Sequence, residues 1–79
     1  MQTITSRKIR QVLRSQLNLR PVATGKNTGH EIWEDVRGRT CKPVLRHKEI
    51  PYAILYSLGL EMENKGICTR RAFLQMITA

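Results

Sequence analysis

Between Ser6 and Leu17 the apolar residues Ile9, Val12, Leu13 and Leu17 recur at helical spacing, while Arg7, Arg10 and Arg14 gather on a neighbouring side. Thr5 or Ser6 is suited to cap the start of this helix, and Pro21 ends any continuation of it. The pattern then shortens to strand length. Pro21 to Thr24, Glu31 to Asp35 and Arg39 to Leu45 read as three strands, the last two joined as a hairpin through a Val36-Arg37-Gly38 turn. Pro43 has no amide to donate to a ladder, so this strand belongs at an edge or stops there.

A second helix is expected after Pro51, whose fixed φ suits a first turn, with Glu49 favourable near its positive end. Ile54, Leu55, Leu58 and Met62 form its apolar stripe and Gly66 stops it, although Gly59 is a weak helix former inside it. Thr69 is placed to cap a short third helix whose Phe73, Met76 and Ile77 close over the core. Arg70 and Arg71 oppose the dipole at the start of that helix, which calls for an external anion or a nearby acid. The resulting order of helix, three-stranded antiparallel sheet, helix and short C-terminal helix is an α+β layer arrangement. At 79 residues it is read as a single domain, 1–79, with a modest core.

Strand alternation puts His30, Ile32 and Glu34 on one face and Glu31, Trp33 and Asp35 on the other, so either Ile32 or Trp33 faces the helices. The same alternation separates Glu34 from Glu31 and Asp35 and argues against a metal site there. Cys41 and Cys68 are far apart with no C-x-x-C pattern, and are expected as reduced, buried thiols rather than zinc ligands with His30 and His47.

Charge narrows the function. Fourteen Lys and Arg against six Asp and Glu give a net charge of +8, and the first thirty residues hold no acidic side chain. An anionic partner is expected. No apolar run approaches membrane-spanning length and no hydrophobic signal region opens the chain, so nucleic acid is preferred to membrane and a cytoplasmic location is expected.

The segment Gly25-Lys26-Asn27-Thr28-Gly29-His30 is a glycine-punctuated basic loop leading a histidine into the second strand. Glycine permits close approach of backbone amides to a phosphate, and histidine exchanges a proton near neutral pH. His30 is therefore the candidate general acid or base, acting on a ribose 2′-hydroxyl that attacks the adjacent phosphate. Lys26, Arg37, Arg39, Lys42 and Arg46 are the candidate phosphate contacts, and the basic side of the first helix offers a second surface. His47, at the end of the third strand, is a candidate partner acid or simply an exposed loop histidine.

In their order along Ser6 to Leu74, several motifs resemble the HicA family of bacterial messenger-RNA interferases, whose fold is like the double-stranded RNA-binding domain. They are Thr28-Gly29-His30-Glu31-Ile32-Trp33, Arg37-Gly38-Arg39, Lys42-Pro43, Ile50-Pro51, Ile54-Leu55-Tyr56-Ser57-Leu58, Gly66-Ile67 and Arg71-Ala72-Phe73-Leu74. The resemblance implies a toxin of a toxin-antitoxin system that cuts RNA without a metal or other cofactor. It also implies His30 at the catalytic position and a HicB-like antitoxin as partner. The sequence departs from the family in three places: Gly29 stands where serine is common, the histidine following the strand proline is displaced to His47, and the second helix is about one turn longer. From the residues alone, two other readings stay open: an RNA-binding module that does not cut, and an interaction domain whose basic surface meets an acidic protein.

Overall fold

The structure is a computed structural model, which describes residues 3–24 and 30–79. Its elements are β1 (Thr3–Thr5), α1 (Ser6–Ser15), β2 (Arg20–Thr24), β3 (Glu31–Glu34), β4 (Thr40–Cys41), β5 (Glu49–Pro51), α2 (Tyr52–Asn64) and α3 (Arg70–Thr78). This is the expected α+β order, with one addition. β1 and β5 pair antiparallel as a separate two-stranded ribbon, Ile4 opposite Ile50, which sets the start of α1 beside the residues leading into β5.

α1 starts where Thr5 caps it: the hydroxyl oxygen accepts the Lys8 N–H at 3.2 Å. It buries Ser6, Ile9, Val12 and Leu13. The helix ends well before Pro21, because Asn18 takes a left-handed conformation (φ 54) and the Leu17 and Leu19 amides fold back onto the Val12 and Leu13 carbonyls. Asparagine tolerates that conformation better than most residues.

The main sheet runs β2-β3-β4, all antiparallel. β3 is central, β4 is an edge, and β2 is exposed along its whole length, with an irregularity between Pro21 and Ala23. Trp33, opposite both Pro21 and Cys41, faces the helices and is fully buried, so Trp33 rather than Ile32 is the core residue. Around it close Ile9, Val12, Leu13, Leu55, Met62, Phe73 and Ile77.

The hairpin turn is made by Asp35. Gly38 donates its amide to the Asp35 carbonyl at 3.1 Å, and Asp35 donates its own to the Arg39 carbonyl at 2.9 Å. Gly38, at φ 82, supplies the left-handed residue that such a three-residue loop requires. The third strand is shorter than the sequence pattern implied. Pairing lapses at Pro43, which has no amide to donate, and resumes only as a single bridge between Val44 and His30.

Pro51 is the residue preceding α2 (φ −62, ψ 147) rather than lying in its first turn. The helix closes at Gly66 (φ 76), where the Gly66 amide bonds the Glu63 carbonyl at 3.1 Å and the Ile67 amide bonds Met62 at 2.9 Å, a Schellman ending. Gly59 serves a close helix crossing: a Cβ there would lie 2.9 Å from Arg70 Cγ and 3.4 Å from its Cα. α3 is capped by Thr69, whose hydroxyl accepts the Ala72 amide at 3.1 Å. The acid called for near Arg70 is Glu63, whose carboxylate accepts the Arg70 amide at 2.9 Å.

Candidate functional site

His30 sits immediately before β3, exposed, and bridged across the sheet to Val44. The next residue, Glu31, donates its amide to the Pro43 carbonyl at 3.1 Å, so the 43–44 segment is held against this end of β3. Alternation from buried Trp33 puts His30 on the sheet face away from the helices.

The other face at the same end is braced. Glu31 accepts hydrogen bonds from the Arg10 guanidinium at 2.5 Å and from Trp33 Nε1 at 2.9 Å, and Arg10 also donates to the Leu45 carbonyl at 3.3 Å. The Arg14 guanidinium lies over the Trp33 ring, 5.4 Å from its centre. Two of the three α1 arginines expected to form a second phosphate surface thus make contacts with β3 side chains. Arg7 and Arg14 are both exposed.

The candidate phosphate contacts divide. Lys26, like the rest of residues 25–29, lies outside the described residues. Lys42 and Arg46, both exposed, flank Val44 at the His30 end. Arg37 and Arg39 belong to the hairpin turn at the opposite end of β3, roughly 13 Å or more from His30 at about 3.3 Å per residue. Arg37 is exposed there. Arg39 is engaged: Nε donates to Asp35 at 2.7 Å and the guanidinium also bonds the Gly66 carbonyl, tying the hairpin turn to the end of α2. His47 is exposed three residues beyond Val44, in the segment leading to β5.

That segment contains a cation the sequence pattern did not single out. The Lys48 carbonyl accepts the Ser6 amide at 2.9 Å, which brings exposed Lys48 beside the first turn of α1. The only sequence signal for this was the matched β-branched character of Thr3-Ile4-Thr5 and Ile50 in the β1–β5 ribbon.

On its outer edge β4 meets α2. The Lys42 amide donates to the Glu61 carboxylate at 3.1 Å, and Pro43, Val44, Ile54 and Leu58 line a shallow groove of about 120 Å³ between the two elements. Cys41 is buried in the core, where its surroundings push the thiol up to about 12, and burial also raises half-buried Cys68. Neither is a ready nucleophile at neutral pH. Among the described residues no group of three or more His, Cys, Asp or Glu is arranged to hold a metal ion.

Burial pushes the carboxyls of Glu31 and Asp35 up, but their hydrogen bonds outweigh it. Those from Arg10 and Trp33 to Glu31, and from Arg39 and Arg37 to Asp35, hold both below the usual carboxylate range. The unfolded chain therefore binds more protons than the fold in mild acid. The stability these groups contribute is fully present above the unfolded-chain carboxylate values of about 4 and is lost as pH falls through their folded values. Melting temperatures measured from pH 7 to pH 3 are expected to fall in the acid part of that range, and Glu31→Gln/Asp35→Asn should flatten the fall. An equally steep acid decline in the double variant would contradict this assignment.

Comparison with known proteins gives no match to a protein-family model, to a curated protein or to a solved structure. Among the described residues no helix is long and apolar enough to cross a membrane.

Proposed function

We propose that this protein is an endoribonuclease of the HicA kind, the toxin of a toxin-antitoxin pair acting on messenger RNA in the cytoplasm, with His30 as general acid/base. The observation that carries this reading is the position of His30: exposed at the start of the central strand, on the sheet face away from the core, with exposed Lys42 and Arg46 on the segment bridged to it. The net charge of +8 supports an anionic substrate. The family resemblance supports a reaction without a metal and a HicB-like antitoxin as protein partner.

His30 accepts the proton of a ribose 2′-hydroxyl as that oxygen attacks the adjacent phosphorus. The bond to the 5′-oxygen breaks, that oxygen takes up a proton, and a 2′,3′-cyclic phosphate and a 5′-hydroxyl end result. Lys42 and Arg46 supply positive charge to the phosphate. DNA lacks the nucleophile.

The expected result with two RNAs of one sequence is cleavage of the ordinary RNA and none of its 2′-O-methyl form, read by gel electrophoresis. Equal cleavage of both would rule out attack by the 2′-hydroxyl.

A non-catalytic RNA-binding role is favoured by one observation, the separation of Arg37 and Arg39 from His30, which leaves fewer cations around it to stabilise a transition state. A wild-type protein that holds RNA at catalytic concentrations without cutting it would decide for that role.

A further inference from the structure

The segment that reaches His30 at Val44 continues to α1. The Leu45 carbonyl is held by the Arg10 guanidinium at 3.3 Å and the Lys48 carbonyl by the Ser6 amide at 2.9 Å, so residues 44–48 run from the His30 bridge to the first turn of the helix. Arg46, His47 and Lys48 are exposed along this run. Arg7 stands one turn before Arg10 on the same side of α1, and is exposed beside it.

The charges differ in how they are used. Arg10 is neutralised by Glu31, whereas Arg7, Arg46 and Lys48 take part in no ion pair among the described residues. The nearest carboxylate along the chain, Glu49, accepts the Thr3 hydroxyl at 3.1 Å. Three exposed cations without ion pairs therefore follow one another from the histidine to the helix, and the backbone beneath them is anchored at both ends.

We propose that Arg46, Lys48 and Arg7 form a track for the phosphate backbone of RNA extending beyond the nucleotide at His30. This rests on the cleavage reading for its starting point. From Val44 to Lys48 the chain spans at most about 14 Å, or roughly four nucleotides of stacked strand at about 3.4 Å each. Such contacts hold the strand in register without reading its bases. Their binding energy acts on substrates long enough to reach them and leaves the reaction of a minimal substrate alone.

The test compares wild type, Arg7→Ala/Lys48→Ala, Arg7→Lys/Lys48→Arg and Arg71→Ala, an exposed cation of α3, with folding checked by circular dichroism. Cleavage is measured on a dinucleoside monophosphate and on an RNA of about a dozen nucleotides. Binding of the longer RNA is measured by fluorescence anisotropy across a salt series, with each variant also carrying His30→Ala.

The alanine pair is expected to lose about tenfold in affinity and in kcat/KM on the longer RNA. Its salt slope should fall by about 1 to 1.5, and its activity on the dinucleoside should stay at the wild-type level. The charge-conserving pair and Arg71→Ala should behave as wild type. Unchanged affinity and slope in the alanine pair would overturn the track and leave these cations to an acidic protein or to solvent. Reduced binding in the alanine pair, with no cleavage by wild type, would sustain the track as an RNA surface and sink the catalytic reading instead.

Discussion

Trp33→Ala is expected to destabilise the fold by about 3–5 kcal/mol, the usual cost of removing a buried aromatic ring. Trp33 is the largest fully buried side chain and sits at the centre of the three-stranded sheet. Its loss opens a cavity that Pro21 and Cys41 across the sheet, and α1 above it, are poorly placed to refill. It also removes the indole donor to Glu31 and the ring under Arg14. Against a total stability of about 5–15 kcal/mol, the variant keeps little margin. Trp33→Phe retains most of the volume and loses chiefly the indole hydrogen bond, so a penalty of about 1–3 kcal/mol is expected. Urea unfolding followed by circular dichroism measures both. A loss below about 1 kcal/mol for the alanine variant would mean that the core is not organised around this residue.

Local pattern was enough to place the three helices, though not every end of them, since α1 stops before Pro21 and Pro51 precedes α2. The stripe from Ile9 to Leu13, the caps at Thr5 and Thr69 and the stop at Gly66 all lie where helical spacing and end chemistry put them. What sequence spacing left open was decided by long-range pairing. Ile32 and Trp33 compete equally for the core until the register opposite Pro21 and Cys41 turns Trp33 inward.

The β1–β5 ribbon joins strands of three residues each across more than forty positions, too short a pattern to detect locally. Without that ribbon nothing in the local pattern groups Lys48 with the cations near His30. Arg39 looked like any other basic residue of the turn, because its ties to Asp35 and to the Gly66 carbonyl depend on how the hairpin meets the end of α2. Arg10 likewise shares a helix side with Arg7 and Arg14, yet its ion pair with Glu31 draws it onto β3, while Arg14 covers the Trp33 ring and, like Arg7, stays exposed.

His30 is expected to carry most of the rate. A positioned general acid or base typically contributes about 10²- to 10⁴-fold, so His30→Ala should lower RNA cleavage by that factor. Stability should change little, because the side chain is exposed and lies on the sheet face opposite the core. Surface substitutions of that kind usually stay within about 0.5 kcal/mol. His30 therefore offers a clean separation of chemistry from folding.

The most direct test of the catalytic account is a time course of cleavage of a long single-stranded RNA in excess EDTA by wild type and His30→Ala, each checked for folding by circular dichroism. The account predicts cleavage by wild type and a loss of at least about 100-fold in a folded variant. Equal cleavage by both proteins, or none by a folded wild type, would contradict it.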